Sequence, residues 1–442
     1  MKKYIIHAFA LLAFGMANSQ NYYLATPEGY GAATTGGGTA ATVTVSTFAD
    51  LRTQLVSAGA KVILVSGEIT IPTNNQISAV VTNKSLIGLP GAKLINLNQT
   101  AAGSGILNFK AGSSNVIIRN LTFVGPGAYD VDGRDNLTAD GITNLWVDHC
   151  EFQDGLDGNL DIKGLSDNVT VSWTKFTYLK PPTAGGSGGS NDHRFSNLIG
   201  SSATDAPADG HYSVTFQNCY WGEGVKDRMP RARNAQLHIL SSYYNTSVSG
   251  AKGIGLGGGT NNSTCYVENT NFQRVATVYS QATGDGGTVA INFVNSLKGV
   301  ADVGVVPAPT YATTKIPVDQ VEKFLTDSTC GAGASLQVSP TGVITSSSCA
   351  NLGTKNVSTN SGYRLQCAPT GDKKLQIKFP KEVSGNQKYQ IFNIAGQLLL
   401  TKEEHLKSTT KTTIDLQGLK TGLFMLSAKT DNESSSCKFF NN

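Results

Sequence analysis

The chain has 442 residues, 49 of them glycine, with 15% charged side chains and a formal net charge of +4, which suits a turn-rich β protein with a large core and an accessory module. Its excess positive charge is local: residues from Pro369 onward carry 11 Lys/Arg against 7 Asp/Glu, Lys2 and Lys3 open the chain, and the remainder holds 22 basic against 24 acidic residues. That balance argues against a general nucleic-acid binder, and nothing after the N-terminal segment is long and apolar enough to span a membrane.

Lys2 and Lys3, the apolar run from Tyr4 to Met16 and then Ala17-Asn18-Ser19 read as a secretory signal over residues 1–19, so the protein is expected to be secreted or attached to the cell surface. Gly29 to Thr39 is a Gly/Ala/Thr coil, Ser46 to about Ser57 a short helix, and Val62 to Ile71 the start of the strands. Helix then strand suits the capped end of a solenoid.

Six nine-residue segments share one template and close on an aromatic: NVIIRNLTF, NLWVDHCEF, NVTVSWTKF, SVTFQNCYW, QLHILSSYY and TCYVENTNF, ending at Phe123, Phe152, Phe176, Trp221, Tyr244 and Phe272. Their aromatics are spaced by 29, 24, 45, 23 and 28 residues, so the long interval holds either two ordinary coils or one with a large insertion. Their Val, Ile, Phe and Trp content is that of strands, and no segment can bury its apolar face alone. The expected fold is therefore all-β: a right-handed parallel β-helix over residues 20–334, its strands running to about Ala312 and followed by a polar wrap. An antiparallel sandwich is the lesser alternative, because hairpin signals are missing from the intervals. Cys150 and Cys219 sit at equivalent template positions at least two coils apart, beyond disulfide reach, and read as buried thiols, whereas Cys330 with Cys349 is the expected bridge.

Residues 335–368 form a linker, rich in Ser, Thr and Gly up to Thr359. Within 369–442 the stretches Leu375–Phe379, Tyr389–Ile394, Gln397–Leu400, Thr412–Leu416 and Leu423–Ala428 predict a small C-terminal antiparallel β-sandwich. YQIFNIAGQLLL, IDLQGLKTGLFML and the closing CKFF resemble the C-terminal sorting domain of type IX secretion cargo; the resemblance implies a secretion machinery as partner. A carbohydrate-binding module would need more Trp or Tyr for a stacking platform.

Two constellations carry chemistry. Arg228-Met229-Pro230-Arg231-Ala232-Arg233 puts three guanidinium groups in six residues, with a proline fixing the backbone. Asp130-Val131-Asp132 follows one core strand and Asp157-Gly158-Asn159-Leu160-Asp161 the next. Adjacent coils would bring these carboxylates to one wall, where they repel unless a cation such as Ca²⁺ joins them. His149 and His238 read as structural, Asp148 and His149 as neighbours facing opposite ways along a strand, and Trp146, Trp173 and Trp221 as packing residues rather than sugar platforms.

In this order, NLWVDHCEF, DGNLDIK, VTVSWTKF, Leu198-Ile199-Gly200-Ser201-Ser202 and R-x-P-x-x-R resemble pectate lyases of polysaccharide lyase family 1, over about 280 residues from Gly29. The resemblance implies Arg228 as catalytic base and Arg233 as substrate or structural partner. It implies calcium ligands at Asp130, Asp132, Asp157 and Asp161, with Asp135 competing because this loop is long. Where the family carries a substrate-binding lysine this chain has Phe195, which leaves Arg194, then Lys180, as replacements. The Gly/Ser-rich insertion Pro181 to Asn191 should overhang the cleft. The implied activity is calcium-assisted β-elimination of polygalacturonate (pectate) by a monomer, giving unsaturated oligogalacturonides and favouring alkaline pH because a free guanidinium holds its proton to above about pH 12. Pectin lyase action on methyl esters, and a non-catalytic carbohydrate-binding adhesin, are the alternatives.

Overall fold

The computed structural model describes residues 22–345, 365–370, 372–393, 397–429 and 434–441. The expected signal, 1–19, and most of the expected linker, including Cys349, lie outside them. The chain divides into two compact units, Met1–Gly353 and Thr354–Asn442.

The first unit is a parallel β-solenoid of three sheets, with ten, eight and eight strands. Each nine-residue segment is two strands rather than one. Ser114–Arg119, Thr143–Asp148, Asp167–Ser172, Tyr212–Gln217, Ala235–Leu240 and Ser263–Glu268 pair in order in the first sheet. Thr122–Val124, Glu151–Gln153, Lys175–Thr177, Tyr220–Trp221, Tyr243–Asn245 and Asn271–Arg274 do so in the second. The joints are Asn120, His149, Trp173, Asn218, Ser241 and Asn269, all at positive φ. A left-handed residue turns the chain between sheets and shifts the inward alternation by one position, so Val116, Ile118, Leu121 and Phe123 are all buried. Asparagine tolerates this conformation best and fills three of the six joints.

The closing aromatics form a continuous ladder, with ring centroids 4.5 Å apart for Phe123–Phe152, 5.5 Å for Phe152–Phe176, 5.6 Å for Phe176–Trp221, 4.6 Å for Trp221–Tyr244 and 4.6 Å for Tyr244–Phe272. Phe176 meets Trp221 directly, so the long interval is one coil with an insertion. Phe176→Ala should open a cavity mid-ladder and lower unfolding free energy by about 3–5 kcal/mol, read as a lower guanidinium midpoint for the solenoid transition.

The solenoid begins earlier than the sequence suggested, with Thr42–Val45 pairing Lys61–Val65. Between them Phe48–Val56 is a helix whose Thr47 cap accepts the Asp50 N–H and which buries Leu51 and Leu55. Its last strand, Val289–Val294, ends short of Ala312. The following segment is apolar where it returns: Ile316, Val321, Phe324 and Leu325 join Tyr22 and Leu24 in a cluster with Trp146 of the first sheet, Trp173 at a joint and Tyr243 of the second sheet. Cys150, Cys219 and Cys265 are buried free thiols, and Cys330 is disulfide-bonded.

Asp148 and His149 do not face apart. Because His149 takes φ +46°, its Nδ1 reaches the Asp148 carboxylate at 2.8 Å, where Arg119 (2.7 Å) and the Ser172 hydroxyl (2.6 Å) also bind. Burial opposes ionisation of Asp148, but His149 and Arg119 hold its carboxyl below the usual range. Asp148→Asn would strand the buried Arg119 charge, a loss of about 3–5 kcal/mol. A depressed carboxylate stabilises the fold only above its unfolded pKa, so the difference from wild type should shrink as pH falls below about 4, measurable by denaturation at pH 7 and pH 3. His238 is buried between Glu268 (3.0 Å) and the Tyr311 hydroxyl (2.8 Å).

The second unit is one five-stranded antiparallel sheet. Four of the short strands expected there merge into two long ones, Lys374–Asn393 and Leu398–Asp415, with register shifts after Lys378. Their two halves share a core that includes Leu375, Ile377, Tyr389, Ile391, Ile414 and Leu426. Cys367 and Cys437 form a disulfide that the sequence reading did not foresee. Among the described residues no helix is long and apolar enough to cross a membrane.

Candidate active site

The candidate residues gather on the third sheet. Leu137–Asp140, Leu160–Lys163, Leu198–Ile199 and Arg231–Ala232 pair in parallel, with Leu137 opposite Leu160, Ile162 opposite Ile199 and Ile199 opposite Ala232. Leu137, Ala139, Leu160, Ile162, Ile199 and Ala232 fill the core. The strand period therefore turns Thr138, Asp140, Asp161, Lys163 and Arg231 to the outer face, and the loops that enter these strands bring Asp135, Asp157 and Arg228 to one end of it.

The charges of Asp157 and Asp161 act on Asp135, and that of Asp157 acts on Asp161. A Cβ on Gly158 would lie 2.7 Å from Asp135 Oδ1 and 3.0 Å from Asp161 Oδ1, so the two carboxylates converge over a residue with no side chain. Asp161 Oδ1 accepts the Leu198 N–H at 3.0 Å. Asp135 Oδ2 accepts the Thr138 hydroxyl at 2.9 Å, while its buried Oδ1 has no hydrogen-bond partner among the described residues. Burial, then the charges of Asp161 and Asp157, push the Asp135 carboxyl well above the usual range. Burial also raises Asp161, to about 6, against the pull of the Arg228 guanidinium and with the push of Asp157. On Lys163, burial is outweighed by Asp135, Asp161, Asp140 and Asp157, which together raise its pKa.

The expected ligands separate. Asp132 is exposed at φ +53°, and Asp135 stands in the acidic cluster beside Asp161. Asp130 is buried one step away, its Oδ2 accepting the Ser190 N–H at 2.7 Å and its carbonyl the Gly188 N–H at 2.8 Å. The insertion thus packs along Asp130; a Cβ at Gly188 would overlap the Asp130 carboxylate.

Arg228 sits at φ +58° before the cis Met229–Pro230 peptide. Its N–H donates to Asp227 Oδ1 at 2.6 Å, and its carbonyl accepts the Asn197 N–H at 2.7 Å. Its half-buried guanidinium makes no hydrogen bond or ion pair among the described residues, and lies 4.8 Å over the Phe195 ring. Arg231 and Arg233 are engaged instead, by Asp285 at 2.9 and 3.0 Å, and Arg233 also donates to the Gly200 carbonyl at 2.9 Å. Arg194 makes a bidentate pair with Asp192, both bonds 2.7 Å. The Lys180 amine donates to the Gly125 carbonyl at 2.8 Å and stands 4.0 Å from Asp154; among the described residues no hydrogen bond or ion pair joins it to the acidic cluster. The sequence reading passed over Lys163 and His193. Lys163 had a signal, since it shares a strand face with Asp161; His193 had none, because its place depends on how the insertion folds.

Residues 2–315 match the family model described as pectate lyase, and residues 369–441 match a secretion system C-terminal sorting domain, which marks cargo sent out of the cell or onto its surface. The pectate trisaccharide-lyase of Thermotoga sp. (strain RQ2) is 33% identical over 237 residues, 51% of this chain and 56% of that protein. Pectate lyase plyB of Emericella nidulans is 33% identical over 223 residues, 49% and 59% of the two chains. The chain thus spans little more than half the length of these curated relatives. Among solved structures, the pectate lyase of Paenibacillus sp. 0602 superposes with a TM-score of 0.53 at 18% identity, covering 71% of this chain and 97% of that one. The Bacillus sp. N165 pectate lyase in complex with trigalacturonate gives 0.50 at 19%, covering 70% and 99%. Both share the solenoid fold. With the family model matched over most of its length, the chain belongs to the pectate lyase family.

Proposed function

We propose that the protein is exported, loses residues 1–19, and cleaves polygalacturonate by calcium-assisted β-elimination, with Arg228 as the base that takes the C5 proton. The observation that carries this reading is the contrast among three neighbouring arginines: Arg231 and Arg233 are tied to Asp285, whereas the Arg228 guanidinium, beside Asp161, has no ion-pair partner among the described residues. Phe195 holds the guanidinium plane by a cation–π contact, and Arg233, tied to Asp285 and the Gly200 carbonyl, takes the structural role.

The donor set fits calcium, which prefers several hard oxygen ligands in a flexible geometry. Asp135, Asp157 and Asp161 would hold it, with Asp130 adjacent; Asp135 Oδ1, without a hydrogen-bond partner among the described residues, and carboxyl pKa values raised first by burial and then by neighbouring carboxylates mark buried charge that a cation would relieve. Bound calcium would supply Lewis-acid stabilisation of the uronate carboxylate as C5 loses its proton. Lys163 adds a fixed positive charge on the same face, stabilising the charge that develops there. Arg194 would have to leave Asp192 to bind substrate.

Calcium competes with protons for Asp161 and Asp135. Affinity should therefore weaken as pH falls through about 6, the value to which burial and Asp157 raise Asp161 against the pull of Arg228. A raised carboxyl pKa also means that these groups destabilise the metal-free fold increasingly as pH rises from about 4 to 7. The thermal shift on adding calcium should be larger at pH 8 than at pH 5. Initial rates on polygalacturonate and on highly methyl-esterified pectin test the substrate: the polygalacturonate rate should be higher, and the reverse order would favour the pectin lyase reading.

A further inference from the structure

The insertion that interrupts the ladder between Phe176 and Trp221 also delivers a histidine to the acidic wall. His193 Nδ1 lies 3.3 Å from Asp130 Oδ1 and its Nε2 3.0 Å from Asp157 Oδ1. The residue is only 5% exposed, and among the described residues neither ring nitrogen makes a hydrogen bond. One donor atom from each of Asp130, Asp157 and His193 can be chosen so that all lie within 4.8 Å of one another. A buried imidazole with both nitrogens unsatisfied is costly. A neutral ring, with one N–H and one lone pair, could not donate to both carboxylates in any case.

We infer that Asp130, Asp157 and His193 form a second cation site, selective for a divalent transition metal of the Mn²⁺, Co²⁺, Ni²⁺ or Zn²⁺ class. An imidazole nitrogen with two carboxylates suits such ions, whereas calcium favours oxygen donors alone. The site is built in advance. Ser190 N–H and Gly188 N–H hold Asp130 from the insertion that carries His193, and the His193 ring packs on Phe195 with centroids 4.0 Å apart. Phe195 in turn lies under Arg228, so an ion here would stiffen the platform beneath that guanidinium. The inference does not require calcium in the cluster of Asp135 and Asp161; Asp157 would be shared between the two positions.

The full-length protein, stripped of metal by chelation and dialysis, is titrated with Co²⁺ in excess Ca²⁺, following visible absorption and, in parallel, Zn²⁺ binding by calorimetry. Wild type should bind one Co²⁺ with a ligand-field spectrum, and His193→Gln should weaken binding by about 100-fold or more. Should His193→Gln lose its far-ultraviolet dichroism, Asp130→Asn takes its place with the same expectation. Failure of wild type to take up Co²⁺, its complete displacement by Ca²⁺, or wild-type affinity in the folded variant overturns the second site. A calcium titration of the same samples, without Co²⁺, reports on the oxygen cluster separately, so either site can fail alone.

Discussion

Arg228→Lys is expected to lower turnover on polygalacturonate by about 100-fold or more, while calcium affinity and thermal stability change little. Lysine keeps the positive charge, so the acidic cluster still feels a cation, but its point charge on a flexible stem lacks the planar guanidinium that lies on Phe195. The nitrogen would then sample positions displaced from the C5 proton, and small displacements of a reacting group are heavily penalised. The loss should fall on kcat rather than KM, because Arg228 is assigned to proton abstraction and not to holding the ground state. Near-normal kcat would show that another group removes the proton. Complete inactivity of Arg228→Ala, with the fold intact, would also set aside the adhesin alternative.

Asp161→Asn should weaken calcium binding by roughly 100-fold or more, and it carries an unusual signature. Removing a ligand normally leaves a protein less stable or unchanged; here it removes a buried negative charge crowded by Asp135 and Asp157. The chelated variant should therefore be more stable than chelated wild type at pH 8, by on the order of 1–3 kcal/mol, yet gain almost nothing from added calcium. Asparagine retains an oxygen to accept the Leu198 N–H, so strand pairing is preserved. A variant that loses stability under chelator and still responds fully to calcium would place the ion elsewhere.

The solenoid was legible because its signal repeats. An aromatic every coil, with Val and Ile before it, has to stack on its neighbours to be buried, and the rings of Phe152, Phe176 and Trp221 do so. The joint within each segment was harder to see, since nothing in His149, Trp173 or Ser241 announces a left-handed residue; asparagine at the other three joints was the available hint. In the second unit, the apolar alternation located the core but not the continuity of Lys374–Asn393, because a bent strand with register shifts interrupts its own pattern.

At the candidate site, Arg228, Asp157 and Asp161 could be named because each lies within or beside a strand whose register is set by the core. Asp130 and Asp132 sit in a loop, where spacing says little about direction: one is buried under the insertion and the other is exposed, while Asp135, two residues before Leu137, reaches the cluster. His193 depends on the path of that insertion, Pro181 to Asn191, and on the glycines that let it close over Asp130, information that no periodicity carries.

Ultraviolet absorbance of unsaturated product released from polygalacturonate, with calcium, with chelator, and with calcium restored after chelation, tests the central claim most directly. Absorbance should rise with calcium, stop with chelator and resume on restoration. Equal rates in all three conditions, or reducing ends released without absorbance, would contradict an eliminative site assembled from Arg228 and the carboxylates of Asp135, Asp157 and Asp161.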